Sequence, residues 1–215
     1  MSRSTSSPVT NPFCTRRIRP GALPFQFPPG ESVTTLVEWL EANRWRGAII
    51  GPHGSGKSTL LETLIPEIEQ HSDRRVLRFS LHDGQRCLSR DWRTRQNPRG
   101  LNENSLIVID GYEQLSRWSR LRLRWSCWKS GAGLLVTAHA PVSLPLLFRT
   151  RPTVELAQQI VENLLANYDP NQVRLTSNDV MTAFASHAGN IRETLLALYD
   201  QIEESSRSER SGYIP

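Results

Sequence analysis

A glycine-rich segment, Gly51-Pro-His-Gly-Ser-Gly-Lys-Ser58, stands between a short apolar run and an amphipathic pattern. The run Gly47–Ile50 is typical of a buried strand, and the pattern Ser58–Gln70 is typical of a helix. The segment matches G-x-x-x-x-G-K-[ST], in which glycines let backbone N–H groups approach phosphate oxygens without an intervening Cβ. The chain is therefore predicted to contain a strand–loop–helix unit that binds phosphate groups.

The fixed positions of this loop have separate expected roles. Lys57 supplies a compact positive charge to the β- and γ-phosphates of a nucleotide, and Ser58 supplies a hydroxyl to Mg²⁺. The helix that follows points its positive dipole end at the phosphates. We therefore predict ATP and Mg²⁺ as cofactors. The predicted nucleotide-binding residues are Gly51, Pro52, His53, Gly54, Ser55, Gly56, Lys57, Ser58 and Thr59.

Apolar runs and helical patterns alternate along the middle of the chain. The further candidate strands are Val76–Leu81, Leu106–Ile109, Leu134–Val136 and, more weakly, Leu146–Arg149. Helical patterns cover Tyr112–Ser130 and a segment that begins after a predicted N-cap at Ser32 and ends near Asn43. This alternation predicts an α/β fold with a doubly wound parallel sheet, followed by a small helical lid. Together with the glycine-rich loop, it resembles the three-layer sandwich with a parallel sheet of the P-loop NTPases.

Changes in composition divide the chain into four predicted parts. Residues 1–30 form a flexible, proline-rich arm whose aromatic side chains, Phe13, Phe25 and Phe27, can pin it to the rest of the chain. Residues 31–153 form the nucleotide-binding α/β domain, and residues 154–205 form the helical lid. Residues 206–215 form a tail.

Composition excludes several other classes of protein. The 215 residues have a formal net charge of +5, and 24 of the 26 basic residues are arginine. No apolar run reaches the roughly 18 residues of a membrane helix, and none suggests a secretory signal. Cys14, Cys87 and Cys127 form neither a metal-binding pattern nor a disulfide framework. We expect a cytoplasmic protein without membrane partners.

Two acidic residues near the third apolar run are candidates for catalysis. The run Ser105–Asp110 ends in a carboxylate, which a parallel sheet would place at its ligand-binding edge, where Asp110 and Ser58 can hold Mg²⁺. Glu113, three residues later, can polarise the attacking water. A glutamate in a first helical turn also stabilises the helix dipole without any catalytic role, so both interpretations of Glu113 stay open.

The fourth apolar run ends in polar side chains. Thr137 and His139 can form hydrogen bonds to the γ-phosphate or to the attacking water, and so sense whether ATP is intact. A histidine at a strand end is also a common structural residue. The sequence alone leaves both roles open.

These motifs resemble those of the AAA+ ATPases over about residues 31–205. Gly51–Ser58 resembles the Walker A motif, Leu106–Asp110 resembles Walker B, and Thr137–His139 stands at the first sensor. The segment Ala188-Gly-Asn-Ile-Arg-Glu193 is similar to the second sensor of the lid. The resemblance implies a catalytic role for Arg192, beside Lys57, Asp110 and Glu113. It also implies an arginine finger at Arg149 or Arg151 that acts on a neighbouring copy, and hence an ATP-dependent homo-oligomer.

The chain departs from the family pattern at Gly111, which stands where relatives carry a second acidic residue. We therefore expect a weak or stimulated ATPase that works as a nucleotide-driven switch. A non-hydrolysing ATP-dependent adaptor is the first alternative. A small-molecule kinase is the second, with Asp83 as its candidate acceptor-binding carboxylate.

Two arginine clusters interleaved with tryptophans raise the possibility of a nucleic-acid partner. The first spans residues 86–99 and consists of Arg86, Arg90, Arg93, Arg95 and Arg99 with Trp92. The second spans residues 117–129 and consists of Arg117, Arg120, Arg122, Arg124 and Lys129 with Trp118, Trp125 and Trp128. Such clusters can bind single-stranded nucleic acid by charge and stacking. An acidic face of a protein partner, or tryptophans packed on the sheet beneath solvated arginines, are the alternatives.

Overall fold

A computed structural model describes residues 11–88, 100–166, 168, 173 and 175–211. These residues form a five-stranded sheet in which every neighbouring pair of strands is parallel. The strands are β1 (Arg46–Ile50), β2 (Arg75–Ser80), β3 (Ser105–Asp110), β4 (Gly133–Ala138) and β5 (Leu146–Arg149). Their spatial order is β2-β3-β4-β1-β5. The predicted α/β fold with a parallel sheet is confirmed.

Seven α-helices occur among the described residues. They are α1 (Thr15–Ile18), α2 (Val33–Ala42), α3 (Lys57–His71), α4 (Arg117–Ser130), α5 (Val154–Leu165), α6 (Ser177–Ser186) and α7 (Ile191–Ser211). Ser32 caps α2 as predicted, in a capping box with Thr35. The predicted helix over 112–130 is instead a short 3₁₀ turn, Tyr112–Gln114, followed by α4 with Ser116 as its N-cap.

Helices cover both faces of the sheet because the central strands are apolar on both sides. One face, with Ile49 and Val108, packs against α2 and α3. The other face, with Ile50 and Ile109, packs against Leu123 and the rest of the inner side of α4. This arrangement gives the strands their near-continuous apolar sequences.

The topology brings four strand ends to one edge of the sheet. The register pairs Ile50 with both Ala138 and Arg149, and Ile109 with Val136. The loops that leave β1, β3, β4 and β5 therefore start side by side. In an open parallel sheet, this carboxyl edge is where ligands bind.

The described chain divides into two compact units. Residues 24–151 form the sheet unit, and residues 11–23 with 152–211 form a helical unit. In the helical unit, Phe13 is fully buried among apolar side chains of α5, α6 and α7. Asn11 Nδ2 donates hydrogen bonds to Tyr199 O and to Glu203 Oε1, each at 3.1 Å, which ties the N-terminal segment to α7.

Phe25 and Phe27 belong to the sheet unit. The Phe25 ring makes edge-on contacts with Phe27 and with Phe148 of β5, with ring centroids 5.0 and 5.6 Å apart. Among the residues that the structure describes, no helix has the length and apolar character needed to span a membrane.

Candidate functional site

The glycine-rich segment forms a tight loop between β1 and α3. Gly54 and Gly56 have φ angles of 64° and 89°, in the left-handed region that favours glycine. Gly56 is the N-cap of α3, so Lys57, Ser58 and Thr59 form the first turn of the helix. The first backbone N–H groups of a helix have no partner within it, and here they open toward the loop.

Close packing leaves no room for a side chain at Gly51, the first glycine of the loop. A Cβ on Gly51 would lie 1.9 Å from Thr150 Oγ1 and 2.9 Å from Ser55 Oγ. The Ser55 hydroxyl donates to Pro52 O at 2.8 Å, and it lies 2.6 Å from the Thr150 hydroxyl. Thr150 therefore supports the loop from the end of the neighbouring strand β5. Sequence reasoning missed Thr150, whose only signal was its place directly after an apolar run that pairs with β1.

Lys57 is buried under the loop. Its Nζ donates to Gly51 O at 2.8 Å and to Pro52 O at 2.6 Å. Burial lowers the pKa of Lys57, while the negative charges of Glu113 and Asp110 act in the opposite direction. The ammonium group thus stands in a poorly hydrated loop, where a phosphate oxygen would gain from replacing the carbonyl contacts.

Asp110 is oriented by the neighbouring strand. Thr137 Oγ1 donates to Asp110 Oδ1 at 2.6 Å, and it accepts a hydrogen bond from the Gly111 N–H at 2.9 Å. Thr137 is almost completely buried. The Thr137 hydroxyl therefore fixes the Asp110 carboxylate at the edge of the sheet, and the one proton of this hydroxyl is already donated to Asp110.

Glycine is the only residue type that fits position 111 without strain. Its φ angle is 86°, and an added Cβ would lie 2.7 Å from the backbone oxygen of Leu81. The Leu81 N–H in turn donates to Asp110 O at 2.8 Å, so this carbonyl cannot easily move away. A residue with a side chain, such as a second acidic residue, would therefore strain the turn that follows Asp110.

The same turn delivers Glu113 to the site. Glu113 lies in the 3₁₀ turn, and its Oε1 is 2.7 Å from His139 Nε2. Its Oε2 is buried and has no hydrogen-bond partner among the described residues. A buried carboxylate oxygen without a donor has the capacity to accept a hydrogen bond from a water molecule.

His139 connects Glu113 to the loop lysine. Its Nδ1 is 3.4 Å from Lys57 Nζ, and its ring stacks on His53 with centroids 3.6 Å apart. Burial lowers the pKa of His139, as do Lys57 and His53, while Glu113 and the Gly51 carbonyl raise it. The imidazole is therefore neutral at pH 7. Its Nε2 lies 2.7 Å from Glu113 Oε1, and its Nδ1 lies 3.4 Å from Lys57 Nζ and 3.3 Å from Gly51 O, so the tautomer determines which nitrogen donates.

The donors near the loop suit Mg²⁺. Ser58 offers a hydroxyl oxygen, and Asp110 offers a carboxylate whose orientation Thr137 fixes. Mg²⁺ prefers oxygen ligands and is commonly held by one or two carboxylates together with the phosphates of its substrate. The described residues include no cluster of three or more His, Cys, Asp or Glu side chains that could hold a metal. Ser58 and Asp110 would therefore hold Mg²⁺ together with phosphate oxygens of a nucleotide.

The other predicted site residues, Arg149, Arg192 and Asp83, are each described within their own unit. Arg149 is exposed at the end of β5, beside Thr150. Arg192 is exposed at the second residue of α7, in the helical unit. Asp83 Oδ1 accepts a hydrogen bond from Gln114 at 2.9 Å.

The structure describes the second arginine cluster fully but the first only in part. In the first cluster only Arg86 is described; its other predicted residues, Arg90, Trp92, Arg93, Arg95 and Arg99, lie outside the described residues. In the second cluster, Trp118, Trp125 and Trp128 are exposed. The alternative in which these tryptophans pack on the sheet is therefore wrong.

No protein-family model matches this sequence, and no curated protein matches it at a significant level. Solved structures do match. Cdc6p from Pyrobaculum aerophilum has a TM-score of 0.59 at 14% identity, covering 86% of this chain and 64% of that chain. The S. cerevisiae Hsp104–ADP complex has a TM-score of 0.50 at 16% identity, covering 86% of this chain and 32% of that chain. The chain thus spans less than two thirds of either matched protein.

Both matched proteins are AAA+ P-loop ATPases. Their likeness extends over most of this chain, although fewer than one residue in five is identical. The parallel sheet and the glycine-rich loop between β1 and α3 agree with that likeness. This chain has the fold of the AAA+ P-loop ATPases.

Proposed function

We propose that the chain binds ATP with Mg²⁺ at Gly51–Thr59 and works as a nucleotide-driven switch with slow or stimulated hydrolysis. The observation that carries this proposal is the buried Lys57 ammonium, whose donors rest on the loop carbonyls at 2.6 and 2.8 Å. A phosphate group would take the place of these carbonyls as hydrogen-bond acceptor, and it would interact with the full positive charge of Lys57 in a poorly hydrated site. The only other lysine, Lys129, lies in the last turn of α4, whereas Lys57 is the first residue of α3.

The binding step uses the loop and the start of α3. The N–H groups of the loop and of the first helical turn donate to the phosphates, and Lys57 reaches the β- and γ-phosphates. Ser58 and Asp110 would hold Mg²⁺, which supplies further positive charge to the phosphate oxygens. Thr137 keeps Asp110 in a single orientation through the 2.6 Å hydrogen bond.

The hydrolytic step uses Glu113. Its free Oε2 accepts a proton from a water molecule as the water oxygen bonds to the γ-phosphorus. The bond between that phosphorus and the β–γ bridging oxygen breaks, which leaves ADP and inorganic phosphate. His139 holds the other oxygen of Glu113 in place at 2.7 Å.

The pair formed by Glu113 and His139 also explains why hydrolysis should be slow without a stimulus. The contact with His139 occupies Glu113 Oε1 at 2.7 Å, so only Oε2 is left to accept a proton from water. Loss of the Lys57 contact on phosphate binding would change the charge that His139 Nδ1 faces at 3.4 Å. His139 would thereby transmit the presence of the γ-phosphate to Glu113. A non-hydrolysing switch is the second candidate, favoured by the same bond.

Phosphate release by the purified protein tests the proposal. We expect release that is abolished by Lys57→Ala and reduced by Glu113→Gln, while Lys129→Ala, which alters the only other lysine, leaves it unchanged. Binding of ATP without any phosphate release would exclude the ATPase and favour the non-hydrolysing switch. Loss of binding in Lys129→Ala but not in Lys57→Ala would refute the proposed site.

From the family resemblance we also propose that Arg192 senses the nucleotide from a lid formed by residues 154–205, and that Arg149 acts on a neighbouring copy. Complementation tests the second point. An equimolar mixture of Arg149→Ala and Lys57→Ala proteins should release phosphate even though each is inactive alone. The intact Lys57 of one copy would receive Arg149 from the other. If mixing restores no activity, Arg149 does not act between copies.

A further inference from the structure

Helix α4 leaves a large apolar surface uncovered. Trp118 is 82% exposed, Leu121 and Trp125 are each 56% exposed, and Trp128 is 69% exposed. The opposite side of α4 packs on the sheet, so the helix is apolar on two sides. The four side chains expose on the order of 600 Å² together, as much as the largest apolar patch on a typical monomer. A patch of this kind marks an interaction surface.

The spacing of these four residues is that of a helix-packing seam. They follow one another at intervals of three, four and three residues, which are the a and d positions of a heptad repeat. The seam is about 15 Å long and covers about 80° of the helix circumference. A stripe this narrow matches the seam of a coiled coil, whereas wider apolar faces cover protein cores or enter bilayers.

Basic side chains border the seam on both sides. Arg117 and Arg124 lie along one border, at the g positions of the heptad, and Arg122 and Lys129 lie along the other, at the e positions; all four are exposed. Lys129 Nζ stands 5.3 Å from the ring centroid of Trp125, so the cation and the aromatic surface are contiguous. Helix α4 contains no acidic residue.

We propose that the seam of Trp118, Leu121, Trp125 and Trp128 docks an amphipathic helix of a partner protein that carries acidic residues on both sides of its own apolar stripe. A second copy of α4 is a poor partner, because its arginines would meet these arginines across the seam. A single nucleic-acid strand carries phosphates along one edge of its bases and would leave one basic border unused. This surface is independent of the proposed nucleotide chemistry.

A designed peptide probes the surface directly. The probe is a fluorescein-labelled helix of about 21 residues, or three heptads, with Leu at a, Ala at d and Glu at e and g. We expect binding in the micromolar range that weakens as NaCl is raised. We also expect a blue shift of tryptophan emission as the exposed indoles become buried. A matched peptide with Lys in place of every Glu should not bind.

Substitutions on α4 make the test specific. The double variant Trp125→Ala/Trp128→Ala should weaken binding of the acidic peptide at least about tenfold, as expected for tryptophan anchors. The double variant Arg124→Glu/Lys129→Glu leaves one basic and one acidic residue on each border, so it should weaken binding of the acidic peptide at least about tenfold and remove most of the preference for the acidic over the Lys peptide. The matched control Arg44→Glu reverses an exposed charge elsewhere in the sheet unit and should change neither. All of these positions are exposed, so unfolding temperatures should match the wild type.

Three results would overturn the proposal. The first is failure of the acidic peptide to bind, and the second is equal binding of the acidic and Lys peptides. The third is tighter binding of oligo-dT, or of phosphatidylserine vesicles, than of the acidic peptide, with that binding lost in the tryptophan double variant. The third result would assign the same surface to a nucleic acid or to an anionic membrane.

Discussion

Replacing Gly111 by alanine tests the structural explanation for the missing acidic residue. The φ angle of 86° costs a residue with a Cβ about 1–2 kcal/mol. The added Cβ would also stand 2.7 Å from Leu81 O, which the hydrogen bond between Leu81 N and Asp110 O holds in place. Forcing an extra methyl group into a packed site typically costs another 1–3 kcal/mol or so. We therefore expect Gly111→Ala to lower the free energy of unfolding by about 2–5 kcal/mol.

Gly84 provides a matched control for this substitution. Its φ angle is 89°, almost the same as that of Gly111, but an added Cβ would meet nothing within 4 Å. Gly84→Ala should therefore lose only the backbone part, about 1–2 kcal/mol. Urea denaturation of both variants measures the difference. Gly111→Glu, which restores an acidic pair after Asp110, should be at least as unstable as Gly111→Ala and should not increase phosphate release.

Equal destabilisation by Gly111→Ala and Gly84→Ala would refute the reasoning, because it would show that Leu81 does not restrict this position. Increased phosphate release by Gly111→Glu would also contradict it. That outcome would mean that the backbone tolerates a side chain here and that the glycine limits catalysis by its chemistry alone.

Three further substitutions probe the site. Lys57→Met should abolish the stabilisation of the protein by ATP. The free energy of unfolding without ligand should be higher than that of the wild type or lie within about 1 kcal/mol of it, because burial disfavours the charged lysine. Thermal unfolding with and without ATP measures both effects. Arg120→Ala should lower phosphate release and destabilise the protein by about 1–3 kcal/mol, because it removes a 2.7 Å hydrogen bond to Glu113 O. The control Arg122→Ala, at an exposed position, should change neither phosphate release nor stability. The lowered pKa of His139 predicts that stability is lost as the pH falls below about 6.5. His139→Asn should reduce this loss, which urea denaturation at pH 5 to 7 measures. If the free energy of unfolding changes with pH equally in the variant and in the wild type, the prediction is contradicted.

The local elements of the fold follow directly from the sequence. Strand β5 occupies the predicted residues 146–149, and α3 extends the predicted range 58–70 by one residue at each end. These elements depend on short apolar runs and on the glycine-rich loop, which are visible without tertiary contacts. The position of Asp110 at the carboxyl edge follows from the parallel pairing of β3.

The contacts that complete the site could not be predicted in the same way. The Ser55–Thr150 hydrogen bond joins residues 95 positions apart, and it exists only because β5 pairs with β1. The bond between Glu113 and His139 depends likewise on the adjacency of β3 and β4. The strand patterns predict a parallel sheet but leave the strand order open.

Helix α4 shows a different limit of sequence patterns. Apolar residues occur on two sides of this helix, and periodicity does not reveal which side faces the sheet. The structure buries Leu123 and Cys127 and leaves the bulkier Trp118 and Trp128 exposed. The smaller side chains therefore face the sheet, and the larger apolar side chains are exposed.

Calorimetric titration of ATP in the presence of Mg²⁺ tests the central claim most directly. The wild type and the Lys129→Ala variant should bind ATP with the same affinity. Lys57→Ala should show no measurable binding, because the phosphates lose the one cation that the loop supplies. Equal binding of ATP by Lys57→Ala and the wild type would contradict the account of this loop as the nucleotide site.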